Sequence, residues 1–486
     1  MSQTDEEKYT LSYSNFASSS AYSTTLTTTT SLSSTSENRI KTMLQDVPKN
    51  ANTLTGLSKS IKNVNGMYKR IVRYMSSMLT FDHILYPVFE NPFVEQDSEA
   101  VKEAFAQTAK FLDSMNIKYH LPIFTEKIIT NGAVFLFKLE DSKSVAYQEL
   151  PSDYCKIAYL EEGVYRFELD ITKINDSNVL AMPKEIQSAY QSYKNNQRDN
   201  FRDGKWYQVS DKGVAFTSDA EVLMQQGYSA PVFGNVLIDA LKVEGAKENM
   251  EDKSDLENSK IIHSEVPIDD KGRPLMDLPV VKAYHSSLKA NLPTGSVAVT
   301  NPFKTTALTL SGTGTSELFS LLDKSTDQLY KGAGVSPQLF ADNNNSSQAL
   351  ERSIQVDAQW LYSFVIPMFT NYYNYELKKS KTSKNKNLIW KIKFLDISYF
   401  DKNEAVKTAK DQLTYGGSRQ EYLAYTGMTP VQVANMLVFE QNILDIDSIM
   451  VAKQNSNTLS SEGDGTDGRP PVDNPTNKTL TNKDNE

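Results

Sequence analysis

The side chains able to do chemistry are few and scattered. Four histidines, His83, His120, His263 and His285, form no H-E-x-x-H pair, the spacing that sets two imidazoles on one helix face around zinc. The single cysteine, Cys155, allows neither an intramolecular disulfide nor a cysteine-pair metal site. No G-x-x-x-x-G-K-[ST] occurs. Gly312-Thr313-Gly314 comes nearest to a phosphate-cradling loop, but it lacks the lysine and the strand-to-helix setting and reads as a turn. The carboxylates between Glu248 and Glu257 are candidates for divalent-metal ligands of a nuclease. Lys247 and Lys253 interleave with them, however, and that alternation fits a solvated face or inter-subunit salt bridges better. Tyr372-Tyr373-Asn374-Tyr375 resembles a base-stacking platform, yet no basic groove accompanies it, so these rings are expected in a core or interface. The expectation is therefore no catalytic residue, no metal, no cofactor and no enzymatic activity.

The elements that must position these residues differ along the chain. The 486 residues suffice for two or three compact regions. A hydrophobic fraction of 39%, a mean hydropathy of -0.46 and a net charge of -9 fit a soluble protein that does not grip phosphates tightly. No apolar run approaches the ~18 residues of a membrane span. Residues 1–36 have neither a basic start nor an apolar run, so no secretory signal is expected. Ser and Thr dominate residues 1–52, and Gly, Pro, Asn and Thr crowd residues 454–486; both are expected to be disordered arms.

Residues 57–217 read as an α+β unit. Met67, Ile71, Val72, Met75 and Leu79 recur at helical spacing, Asp97 opens a helix, and 121–130 continues helically. Strands are expected at 133–139, 145–150, 155–160, 165–170, 205–209 and 214–216, joined in part by Glu162-Gly163 and Asp211-Lys212-Gly213 turns into an antiparallel sheet. Residues 233–259 predict a helix, about 40 Å long if unbroken, apolar at first and then charged. Residues 260–310 form a Pro-rich insertion with short β pieces at 296–300 and 307–310. A further helix, 316–331, ends at Gly332-Ala333-Gly334. A polar loop, Asp342-Asn343-Asn344-Asn345-Ser346-Ser347, precedes a long aromatic helix to about Lys378, in which Pro367 predicts a kink. A strand at 388–394 and helices near 402–412 and 431–446 complete the ordered chain.

This order of elements resembles the portal proteins of tailed bacteriophages. The likeness is strongest over 316–370, where a helix leads into Gly334-Val335-Ser336-Pro337-Gln338-Leu339-Phe340, an Asn/Ser loop and a Pro-containing long helix. It extends to Gly416-Gly417-Ser418-Arg419 and Gly427-Met428-Thr429-Pro430. The resemblance implies an α+β portal fold: wing over 53–232, stem helix 233–259, clip 260–310, second stem helix 311–334, channel loop 335–347, long helix and wing over 348–400, and crown helices over 401–453. It implies a homo-oligomer, dodecameric in that family, with double-stranded DNA passing through it. Its partners would be the large terminase, a capsid or scaffolding protein and a neck adaptor, within the virion and, during assembly, the host cytoplasm. Asp342, Asn343, Asn344, Asn345, Ser346 and Ser347 would face DNA, and Glu244, Glu248, Glu251, Asp255, Lys324 and Lys331 would line the channel. The alternative is another virion subunit, from a capsid, neck or baseplate.

Overall fold

The computed structural model describes residues 37–94, 97–141, 144–258, 260–267, 269, 275–290, 296–301, 315–339, 347–380 and 388–444. It divides into two units, Met1–Val433 and Ala434–Glu486. The fold is mixed α+β.

The first unit opens with α1 (Glu37–Gln45), α2 (Val47–Val64) and α3 (Gly66–Ser76). Residues 37–52, expected as part of a polar arm, are thus helical; Ile40, Met43, Ala51 and Leu54 supply enough buried apolar surface to order them. Residues 1–36 and 445–486 lie outside the described residues. Asn65 caps α3 by accepting from Tyr68 N at 2.8 Å, while Tyr68, Ile71, Val72 and Met75 turn inward. Helix α4 (Ser98–Ser114) starts where Asp97 accepts from Glu99 N and Ala100 N, and α5 (Ile117–Asn131) follows.

Helix α5 leads into an antiparallel sheet of β2 (Ala133–Glu140), β3 (Val145–Leu150), β4 (Cys155–Glu161), β5 (Val164–Asp170), β6 (Phe201–Arg202), β7 (Trp206–Gln208) and β8 (Gly213–Thr217). Strand β1 (His83–Phe89) stands apart from it. The order of the sheet is β3-β2-β8-β5-β7-β6, with β4 also on β5. Its two faces feed two cores. Val134 and Leu136 join one with Tyr147 and Phe216; Ala133, Phe135 and Phe137 join the other with Phe167 and Leu169. Covered on both sides, β2 reads as a continuous apolar run rather than an alternating one. Helix α6 (Lys184–Lys194), not anticipated from the sequence, contributes Ile186, Ala189 and Tyr190 to the second core.

The middle holds α7 (Val236–Asn258), β9 (Lys260–Glu265), α8 (Leu278–Ala290), β10 (Ser296–Asn301) and α9 (Thr315–Gly332). Strands β9 and β10 pair in parallel, so the Pro-rich insertion contains a β-α-β unit whose first strand and helix were not expected. The strand anticipated at 307–310 lies outside the described residues. The long helix is α10 (Ser347–Trp360), a π turn over Leu361–Val365 and α11 (Ile366–Ser380). Pro367 has no N–H to continue an α ladder, and the break is taken up just before it, where Ile366 N donates to Leu361 O.

Strand β11 (Leu388–Phe394) pairs antiparallel with β1, from His83↔Phe394 to Phe89↔Leu388, far apart in sequence. Pro87 lies within β1 and had concealed it as a strand. Then come α12 (Lys402–Leu413), α13 (Arg419–Tyr425) and α14 (Pro430–Val438). The helix expected through Ile446 gives way after Val438 to a π turn over Phe439–Ile443. In the second unit Val438, Phe439 and Ile443 are exposed.

Candidate functional site

The predicted channel residues fall on the α7/α9 pair and on the segment before α10. Helix α7 is anchored through its first half: Val236, Leu237, Ala240 and Val243 enter the main core. Asn65 Nδ2 donates to Ala240 O at 3.2 Å, so the residue that caps α3 also ties down α7. Helix α9 packs against α7. A Cβ on Gly332 would lie 2.7 Å from Asp239 Oδ2. The end of α9 therefore sits beside the start of α7, as in an antiparallel hairpin.

Burial fades along both helices toward the insertion. Among the described residues of α7, Ala246 is the last buried one; on α9, Leu329 and Tyr330 are buried, whereas Phe319 is 54% exposed and Leu321 45%. Glu244, Glu248 and Glu251 recur at intervals of four and three along α7, which puts them on one helix face, while the side chain of Asp255 lies outside the described residues. Glu244 is partly buried and accepts from Lys247 Nζ at 2.8 Å. Glu248 and Glu251 are exposed, as are Lys324 and Lys331 on α9. The arrangement presents an acidic row and two lysines from a hairpin rooted in the core, with no grouping of catalytic type among the described residues.

Ser347 begins α10, while Asp342, Asn343, Asn344, Asn345 and Ser346 lie outside the described residues. What can be assigned is the support of α10: Tyr74 OH on α3 donates to Asp357 Oδ2 at 2.9 Å. Burial raises the Asp357 carboxyl to about 6. Tyr372 and Tyr373 are fully buried, with rings against Tyr147, Phe216 and Phe394, so that run is core, not a stacking platform.

Sequence reasoning missed the polar centres of the body. Lys138 is buried on β2 between Glu140, at 2.7 Å, and Glu376 of α11. Asp82, before β1, is buried with Lys118 of α5 and Lys402 of α12 beside it. The only signal was Lys138 interrupting an apolar strand; nothing in the sequence links positions 82, 118 and 402.

No protein family and no curated protein matches the chain significantly. Among solved structures it is similar to a chain from the virion of a native gene transfer agent particle, at 10% identity and a TM-score of 0.40, over 75% of this chain and 88% of that one. It is also similar to a chain from the neck of the empty particle, at 8% identity and a TM-score of 0.39, over 76% and 94% respectively.

Proposed function

We propose that this chain is a portal protein, the subunit of a ring at one capsid vertex through which DNA is packaged and ejected. The observation that carries the reading is the α7/α9 pair: two helices rooted side by side in an α+β body, separated in sequence by a β-α-β insertion, and wet toward that insertion. A charged helix without apolar cover needs another partner, and a ring of identical copies supplies one. In such a ring each copy offers its acidic row to one neighbour or to the channel, and a heterologous interface closes on itself.

The charge fits the task. Tight phosphate neutralisation would hold DNA in place, since every neutralised phosphate adds salt-dependent affinity. Glu248, Glu251 and Asp255 lining the channel would repel the duplex, with Lys324 and Lys331 as sparse, short-lived phosphate contacts. The amide-rich 342–346 segment, with Ser347 at the start of α10, would be the part nearest DNA. On this reading the β-α-β insertion is the clip that meets the large terminase and then a neck adaptor, and the sheet body is the wing against capsid or scaffold.

Negative-stain imaging and native mass spectrometry of the purified chain test this directly. The expected result is a closed ring with a central hole, at twelve copies. Solid particles at every concentration would overturn the proposal.

A further inference from the structure

A cavity of about 380 Å³ opens in the body where four distant segments meet. Asp82 precedes β1, Lys118 lies in the first turn of α5, Lys402 begins α12, and Gly427 follows α13. Lys118 Nζ donates to Asp82 Oδ1 and to Gly427 O, which leaves one of its three N–H groups unspent. Lys402 Nζ stands 3.8 Å from Asp82 Oδ2, near enough to feel its charge and too far for a hydrogen bond. Asp82 Oδ2 is buried without a hydrogen-bond partner, on a side chain only 1% exposed.

Gly427 holds the space open. Its φ is +104°, and a Cβ there would lie 3.3 Å from Lys402 Nζ and 3.9 Å from both Asp82 Oδ1 and Lys118 Nζ. Three charged groups thus converge where a side chain is missing. Two ammoniums and one carboxylate leave a charge of +1, which a monoanion neutralises. The hydrogen-bond demands are mixed. Lys118, Lys402 and the Thr80 hydroxyl, which accepts only a long 3.4 Å bond from Asp82 N, have protons to give. Asp82 Oδ2 needs a proton, and the hydroxyls of Ser77 and Thr426 have already donated theirs to Arg73 O and Leu423 O. An orphaned buried carboxylate oxygen costs free energy that a donor recovers.

We infer that this pocket binds a small oxyanion that still carries a proton, with singly charged phosphate, free or as a monoester, as its ligand class. Sulfate has the same shape but offers acceptors only, so its oxygens would face Asp82 Oδ2 without a hydrogen between them.

Calorimetric titration of the full chain in mildly acidic buffer, with inorganic phosphate, methyl phosphate and sulfate as separate probes, tests this. Either phosphate should bind about tenfold or more tightly than sulfate, a difference of about 1.4 kcal/mol. A preference for methyl phosphate assigns the monoester as the source, and a preference for inorganic phosphate assigns the free ion. Lys402→Gln, at a side chain 30% exposed, should lose most phosphate affinity while keeping the wild-type circular dichroism. Asp82→Asn should abolish the discrimination by giving sulfate a donor. No phosphate binding to the wild-type chain, equal binding of sulfate, or unchanged binding by Lys402→Gln would each overturn the proposal; the first two need no variant to fold.

Discussion

The sheet body and the outer half of the α7/α9 pair handle charge in opposite ways. In the body, ionised groups are buried and matched. Arg166 is 1% exposed and donates to Glu161 at 2.8 Å and to the carbonyls of Asp211 and Gly213 at 3.0 and 2.7 Å. Lys138 is closed in by Glu376 and Glu140. In the outer hairpin, Glu248, Glu251 and Lys324 face water. A buried pair makes the body intolerant of losing one member, because the survivor is stranded in low dielectric. A wetted row carries almost no such penalty. Outside the Asp82 pocket the body thus pairs most of its buried charge internally, while the hairpin keeps charged groups in water.

The sharpest break of this comparison is at Glu376. Glu376→Ala should cost about 3–5 kcal/mol by chemical denaturation, since Lys138 then stays buried with only the more exposed Glu140. The double variant Lys138→Met/Glu376→Leu should recover most of that loss. A single variant as stable as wild type would mean that the pair is not held in the core as described.

Next comes the response to acid. His83 is buried, its Nδ1–H donating to Phe81 O at 3.1 Å, and packed against Phe394. Burial lowers its pKa from 6.5 to about 4. The unfolded chain therefore takes up a proton first as the pH falls. The stability this residue gives is complete above about 6.5 and lost between there and about 4, at most about 3 kcal/mol by linkage. His120, also lowered to about 4 by burial, acts in the same direction. Asp357, raised to about 6, acts in the opposite one. The difference between wild type and His83→Gln across this window isolates the histidine, and a difference independent of pH would refute its role.

These two sites also mark what could be read in advance. Strands β2 to β5 and β8, the Asp97 cap and the α7 and α9 helices were legible because alternation, turn residues and 3.6-residue periodicity are local signals. Strand β1 was not, since its partner β11 lies far away in sequence and Pro87 argues against a strand. Helix α1 was hidden by the polar composition around it. The acidic row was visible as a charge pattern, whereas the Asp82–Lys118–Lys402 cluster exists only once the chain has folded. Local periodicity announces elements, but long-range pairing decides which polar residues meet.

The smallest expected effect separates the two regions most cleanly. Glu248→Gln/Glu251→Gln removes two charges from exposed positions on α7, where substitutions stay within about 0.5 kcal/mol of wild type. Unfolding of the isolated subunit should therefore not change beyond that limit. On the portal reading assembly should change, because carboxylates proposed to pair with a neighbouring copy or to repel DNA are gone. On the portal reading, sedimentation over a range of salt concentrations should show an altered salt dependence of ring formation, or electrophoretic retardation should show DNA held more tightly than by the wild-type ring. If neither changes, the acidic row is an ordinary solvated face. The contrast between a closed body and an open hairpin would then describe the subunit's packing and carry no information about its task.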